Sequence, residues 1–192
     1  MDYALAIENA PASVPGGTGI LLSHPSTGAT DRIDTGFLET DTDAFLVVST
    51  RTTAREVRQK LEHYGVDASN AVILDTLSVE RGYSRRESED VYYVSAPEDL
   101  DGIVAGVERF LADHDGKLRV TVDSVTEMAY YADEERTRDA VERILGLLED
   151  HDAIGLFHLS PEVHDDDVVS GYEKLFDGTI EIGEDDAVSS RF

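Results

Sequence analysis

Gly19-Ile20-Leu21-Leu22-Ser23-His24-Pro25-Ser26-Thr27-Gly28-Ala29-Thr30 is the stretch that decides how this chain reads. An apolar strand runs into a small-residue turn and on toward a helix, the local context in which a phosphate-binding loop forms. In a working loop, GxxxxGK[ST], glycines let backbone N–H groups close on phosphate, lysine neutralises its charge and the hydroxyl holds Mg²⁺. Here Ser23 and Gly28 hold the two glycine positions, Ala29 stands at the lysine, and Thr30 keeps the hydroxyl. The outline of a phosphate loop is present without its main charge.

Outward from that loop, short β-branched runs alternate with segments of helical period. The strand candidates are Gly19–Ser23, Ala44–Ser49, Ala71–Leu74, Val91–Val94, Leu118–Val122, Ile154–Leu159 and Thr179–Ile182. Their near-continuous hydrophobicity predicts strands covered on both faces. The clearest helices are Thr53–Tyr64, Glu98–His114 and Glu134–Asp150, the last with Val141, Ile144, Leu145 and Leu148 on one stripe. Thr53-x-x-Glu56, Ser95-x-x-Glu98 and Ser124-x-x-Glu127 have capping-box spacing, and Gly65 reads as a helix-ending glycine. The alternation predicts an α/β fold of three layers, α/β/α, with a mostly parallel central sheet. Ligands of such sheets sit at the carboxyl ends of the strands, where Ser23–Thr30, Ser49–Thr52 and Asp123-Ser124 would converge.

The charge is extreme: 41 acidic residues against 16 basic ones give −25 over 192 residues. The carboxylates are spread along the chain, which reads as a halophile's solvated surface, since molar salt screens self-repulsion within about 3 Å. With no broad Lys/Arg cluster, composition argues against direct nucleic-acid contact. Arg81, Arg85 and Arg86 are the local exception, in a connection expected to form a loop and an interface. There are no cysteines, which excludes disulfides and thiolate metal sites. No long apolar run and no basic leader of a signal peptide is seen, so a cytoplasmic protein without a membrane partner is expected. Residues 1–17 read as a polar leader, 18–183 as one domain and 184–192 as an acidic tail.

Leu118-Arg119-Val120-Thr121-Val122-Asp123-Ser124 has the form of a Walker B strand, an apolar run ending in an acid that would hold Mg²⁺ through water. An Asp-Ser pair at a strand end also serves as a turn and helix cap. Taken in order with Leu46-Val47-Val48-Ser49-Thr50, Leu61-x-x-Tyr64-Gly65-Val66-Asp67, Ile73-Leu74-Asp75-Thr76, Ser95-Ala96-Pro97-Glu98-Asp99-Leu100 and Leu175-Phe176-Asp177-Gly178, these residues carry a resemblance. Over nearly its full length the chain resembles the KaiC-like branch of the RecA-type P-loop ATPases, and its haloarchaeal members in particular.

The resemblance implies a RecA-like fold, with Ser23, Ser26, Thr27, Gly28, Ala29 and Thr30 at the P-loop position and Asp123 and Ser124 at the Walker B position. It implies Mg²⁺ on Thr30 and Asp123 only if nucleotide binds. The departures fall on the residues that would do the work. Ala29 replaces the lysine, Ser23 and Ser26 replace glycines, and Arg51-Thr52 stand where paired glutamates would activate water. Losing the lysine and the general base together removes most of an electrostatic catalysis. The expectation is a non-catalytic regulatory or protein-interaction module with no cofactor, in signal transduction or transcription regulation. Its partner would be another protein, a KaiC-like paralogue or further copies of itself. The other reading is an Mg-ATP-binding protein with weak ATPase or autokinase activity, in which Arg32 or Arg51 substitutes for lysine.

Three histidine-bearing segments remain. His158 reads as a hydrogen-bonded core histidine on a buried strand. His164-Asp165-Asp166-Asp167 reads as a solvated acidic loop, with cation binding through oxygen as the other option. His24 lies in the altered loop, where its protonated ring could meet an anion.

Overall fold

The structure, a computed structural model, describes residues 1–83 and 88–192. In chain order the elements are β1 (Asp2–Ala4), β2 (Ser13–Pro15), β3 (Gly19–Ser23), α1 (Asp31–Glu39), β4 (Ala44–Ser49), α2 (Ala54–His63), β5 (Ala71–Asp75) and β6 (Val91–Tyr93). There follow α3 (Leu100–Asp113), β7 (Leu118–Val122), α4 (Val125–Tyr131), α5 (Glu134–Asp150), β8 (Ile154–Leu159), α6 (Asp166–Glu173), β9 (Gly178–Ile182) and β10 (Val188–Arg191). Short 3-10 turns occupy Ala68–Asn70 and Pro161–Val163.

One sheet organises the fold, in the order β10-β9-β3-β8-β7-β4-β5-β6. All its pairings are parallel except that of β10 with β9. Every residue of β3, β4, β5, β7 and β8 is buried, as their unbroken apolar sequence requires of strands covered on both sides. The pleat divides them. Leu21, Leu46, Val48, Val120, Val122 and Phe157 meet α3, α4, α5 and α6. Ile20, Leu22, Phe45, Val47, Ile154 and Leu156 meet α1, α2 and the first 14 residues. This is the expected α/β/α sandwich.

Local chemistry sets the helix ends. Thr53 and Glu56 form a reciprocal capping box on α2, and Gly65 follows that helix at φ +74°. Ser124 caps α4 by accepting from the Glu127 amide at 2.9 Å. The expected Ser95/Glu98 cap of α3 is displaced. Asp99 takes the cap position, accepting from Gly102 N at 3.0 Å, while the Ser95 hydroxyl donates to Asp99. A carboxylate is the better anchor for the positive end of a 14-residue helix.

Both ends of the chain differ from the sequence expectation. Residues 1–17 are not a detached leader: β1 pairs antiparallel with β2, and Tyr3, Leu5, Ile7 and Val14 are buried against the α1 side of the sheet. Tyr3 donates to the Asp152 carbonyl at 2.8 Å and accepts from Leu118 N at 3.1 Å. Gly36 allows this segment to cross α1, since a Cβ there would stand 2.8 Å from the Ala6 carbonyl oxygen. Within 184–192, β10 adds a strand to the sheet edge, its half-buried Val188 packing on the same core. Backbone pairing with β9 supplies order that a sequence so poor in apolar residues does not announce.

Arg119, expected only as a strand residue, is fully buried. One guanidinium nitrogen donates to Ala4 O at 2.8 Å and to Thr40 O at 2.5 Å, and the group lies over the rings of Tyr3 and Phe37. It thereby ties the N-terminal segment to the carbonyl end of α1, where a cation is favoured. Burial lowers its pKa to about 10, which still leaves the charge in place near neutral pH.

Candidate functional site

β3, β8, β7 and β4 end side by side. From β3 the chain turns into α1 on one face, and from β7 into α4 on the other. The crevice where the two paths part is where an open α/β sheet binds ligands. A cavity of about 470 Å³ occupies it and extends between α1 and α2 over Val47 and Thr121.

A buried polar chain lies against one end of this cavity. The Nδ1 of His24 lies 2.8 Å from the Pro25 carbonyl, which can only accept, so that nitrogen carries the proton. Its Nε2 then accepts from Nδ1–H of His158 at 3.1 Å. On the other side of the ring, His158 Nε2 stands 2.8 Å from Asp34 Oδ1. That approach is not a hydrogen bond of good geometry, and Oδ1 has no other partner. Asp34 Oδ2 accepts from the Thr30 hydroxyl at 2.8 Å. Burial alone would raise the Asp34 pKa, but the charge and proximity of His158, the Thr30 bond and Lys60 hold it below the usual carboxylate range. His24 is shifted down, first by burial and then by the positive charges of His158 and Arg51.

The loop amides are taken up by other groups of the protein. Ser26 N donates to the Glu162 carboxylate at 2.5 Å, and Gly28 N donates to Pro25 O at 2.7 Å. A Cβ at Gly28 would fall 2.9 Å from that carbonyl, so the tight turn depends on glycine. Burial opposes the charge of Glu162, but hydrogen bonding from Ser26 outweighs it and keeps the carboxylate ionised to lower pH than usual. A side-chain carboxylate therefore holds a loop amide of the kind that would face a phosphate.

Asp123 follows β7 at the cavity floor. Its Oδ1 accepts from Thr50 N at 2.9 Å and Thr50 Oγ1 at 2.7 Å, and its Oδ2 lies 3.3 Å from Ser49 Oγ. Burial pushes its carboxyl above the usual range, and the Thr50 bonds and the charges of His158 and Arg51 only partly oppose this. Among the described residues, no three His, Asp or Glu side chains come together as a metal-binding set.

The outer rim is a bridge between helices. Asp31, at the start of α1, takes the Lys60 ammonium at 2.8 Å and the Tyr64 hydroxyl at 2.7 Å. Burial opposes the charge on Asp31, but these two hydrogen bonds prevail and lower its pKa. Leu38, Val47, Val57, Leu61 and Val66 line the apolar side.

Of the residues singled out in sequence, Ser26, Thr27, Gly28, Thr30 and Asp123 line this cavity together. Ser23 is buried at the end of β3, Ala29 is exposed outside the lining, and Ser124 serves as the α4 cap. His158 is hydrogen-bonded in the core as read, and it also lines the cavity. His164 departs from the solvated-loop reading. Its buried ring is held by Glu134 at 2.6 Å and Thr126 at 2.9 Å, while Asp166 and Asp167 form the first turn of α6. Of the arginine loop, Arg85 and Arg86 lie outside the described residues, and Arg81 lines a separate shallow cleft with Tyr83 and Tyr93. Sequence reasoning missed Asp34 and Glu162, and it placed Thr50 only as part of the Ser49–Thr52 strand end, without its bond to Asp123. For Asp34 a signal existed: a carboxylate four residues after Thr30, on a helix whose next turn is Phe37-Leu38.

The chain belongs to the family described as "Family of unknown function (DUF7090)", which it matches over residues 1–192. A search of curated proteins gives no match. Solved structures agree on the fold of this DUF7090 member. A KaiC-like protein from Pyrococcus horikoshii OT3 is similar with a TM-score of 0.61 and 17% identity, over 93% of this chain and 77% of that one. An uncharacterized protein from Pyrococcus horikoshii, in complex with an unknown peptide, gives 0.64 and 16%, over 92% and 83%. A type III secretion system ATPase of pathogenic bacteria gives 0.64 and 12%; the match covers 96% of this chain and 58% of the ATPase. The fold is RecA-like.

Proposed function

We propose that this chain is a non-catalytic RecA/KaiC-like module with a regulatory or protein-binding role, carrying a P-loop that has lost its phosphate site. The observation that supports this reading is that the groups that would hold Mg-phosphate are already hydrogen-bonded to other groups of the protein. Ser26 N is taken by Glu162, the Thr30 hydroxyl by Asp34 and Asp123 by Thr50, while Ala29 offers no charge at the lysine position. Phosphoryl transfer depends on preorganised positive charge and metal, and both oxygens of Asp123 are already engaged by Thr50 and Ser49. The peptide bound to one structural neighbour favours a protein or peptide partner. The partner, on this reading, is a signalling or transcription protein, a KaiC-like paralogue or a second copy of the chain.

An ATP titration of the full chain in multimolar KCl tests the reading. No binding up to millimolar Mg-ATP by a folded protein is expected. Micromolar, Mg²⁺-dependent binding that disappears in Asp123→Ala overturns it and favours the Mg-ATP alternative, with Arg51 at the cavity as the substitute cation. The surface, at a net charge of −25, further suggests adaptation to high salt. Dilution from about 3 M to 0.1 M KCl should lower the melting temperature sharply, because the Debye length lengthens and self-repulsion returns.

A further inference from the structure

We infer that His24 and His158 share one added proton, which latches the altered phosphate loop to β8, and that a second added proton releases the loop.

The partners of the four ring nitrogens count the protons. His24 Nδ1 faces the Pro25 carbonyl at 2.8 Å and carries a proton, because that oxygen only accepts. His24 Nε2 and His158 Nδ1 stand 3.1 Å apart, a gap that holds one proton and no more. His158 Nε2 lies 2.8 Å from Asp34 Oδ1, where a lone pair would be repelled by the carboxylate and an N–H is attracted to it. Asp34 is ionised there, with its pKa held below the usual range. Three protons on two rings make one positive charge, which Asp34 balances. The central proton sits on either ring without changing that count, so the two rings titrate as one unit. A fourth proton would set two N–H groups against each other across the 3.1 Å gap.

The pair fastens both ends of the loop. His24 begins it directly after β3, and Thr30 ends it by donating to Asp34 Oδ2 at 2.8 Å. His158 stands between them on β8, which is held between β3 and β7. The Pro25 carbonyl also accepts from Gly28 N at 2.7 Å, so the orientation of the His24 ring is tied to the turn.

A second positive charge finds no partner among the described residues around the pair. Asp34 is used by the first, Asp31 on α1 holds Lys60 of α2, Asp123 after β7 accepts from Thr50, and Glu162 after β8 accepts from Ser26. Burial and the charges of His158 and Arg51 oppose a further proton on His24 in the closed loop. An open loop removes that opposition and lets His24 protonate near its ordinary value of about 6.5. The ring has somewhere to go, since His24 borders the cavity of about 470 Å³. As pH falls below about 6.5 the open form therefore gains by up to about tenfold per pH unit, until His24 in the closed loop also protonates.

Nitrogen-15 NMR of the imidazoles and amide hydrogen exchange, on the full chain in multimolar KCl from pH 8 to 5, test the inference. At pH 7, His24 Nδ1 and His158 Nε2 should both carry protons, and the two facing nitrogens should lie between the protonated and bare extremes. Below about pH 6.5, protection of the Ser26 and Gly28 amides should fall by up to about tenfold per pH unit. His24→Gln has no proton to gain and should keep that protection constant with pH. His158→Gln offers a neutral donor to His24 Nε2 and should leave His24 titrating alone. A bare His158 Nε2 at pH 7, two wild-type rings that titrate independently, or wild-type protection that stays as flat as in His24→Gln overturns the proposal.

Discussion

The two faces of the sheet are built to different standards. Beneath α3, α4 and α5, Ile103, Val107, Phe110, Val141, Ile144 and Leu148 are all sealed from solvent, and the polar contacts of His164 and Tyr172 with Glu134 lie at the margin with α6. Beneath α1 and α2 the core is interrupted by a polar chain from Pro25 through His24 and His158 to Asp34 and Thr30, with an unfilled cavity beside it. Proteins fill their interiors to near-crystalline density, and a void or a buried ion pair forgoes stability. One face therefore holds the fold together, and the other retains the features of a site.

The largest effects should come from the sealed face. Phe110→Ala is expected to lower unfolding free energy by about 3–5 kcal/mol, because it opens a new cavity in a filled core. Leu61→Ala, whose side chain already borders a void and has fewer neighbours to lose, should fall near the low end, about 2 kcal/mol. Urea titration of both variants checks the pair, and equal losses would erase the distinction between the faces.

Next is the ion pair. Asp34→Asn removes the buried carboxylate that faces His158 Nε2 and accepts from Thr30, and should cost about 3 kcal/mol. Adding His158→Gln to that variant should recover part of the loss, a coupling that a double-mutant cycle in urea measures. Strict additivity would show that the two side chains do not act together.

A smaller, pH-dependent effect should come from His24. Its folded-state pKa is lowered, so between its unfolded value near 6.5 and the lower folded one the unfolded chain binds more protons. Stability should therefore fall as pH drops below about 6.5, by at most about 1.4 kcal/mol per pH unit, and level off once native His24 also protonates. His24→Gln should flatten that window in thermal melts from pH 7 to 5. Asp34 does not contribute there, since a lowered carboxylate pKa withdraws stability only below about pH 4.

The smallest effect has the opposite sign. Asp123 has a raised pKa, so its contribution is present at low pH and lost as pH rises through the folded value. Asp123→Asn keeps an acceptor for Thr50 without a charge to bury, and at pH 7 should raise stability by up to about 1 kcal/mol. A clear loss would mean that the ionised form is the one the site is built around.

Much of this architecture was legible. β3, β4, β7, β8 and α5 fall at the residues their hydrophobic runs predicted, because a strand buried on both faces has little choice but to be apolar throughout. The strand-turn-helix unit around Ser23–Thr30 was legible for the same reason. β1, β2 and β10 were not. They are short, and their order comes from pairing and from burial of single residues such as Tyr3, which no periodic pattern reports. At the site, the loop residues were found because their spacing is local. Glu162 was missed because its role depends on reaching an amide 136 residues earlier, and Asp34 because its ion-pair partner lies on β8.

The sequence by itself determined an α/β/α layering and an altered phosphate loop lacking lysine, since both depend on hydrophobic period and on neighbours in the chain; the RecA-like character came from the resemblance of its motifs taken in order. Only the tertiary structure decided what replaced the missing charge. His158, Asp34 and Glu162 converge on the loop from β8, α1 and the turn after β8, and Arg51, Leu61 and Val47 enclose a cavity beside it. Electrostatics and packing act through space at a few ångströms, whatever the distance along the chain.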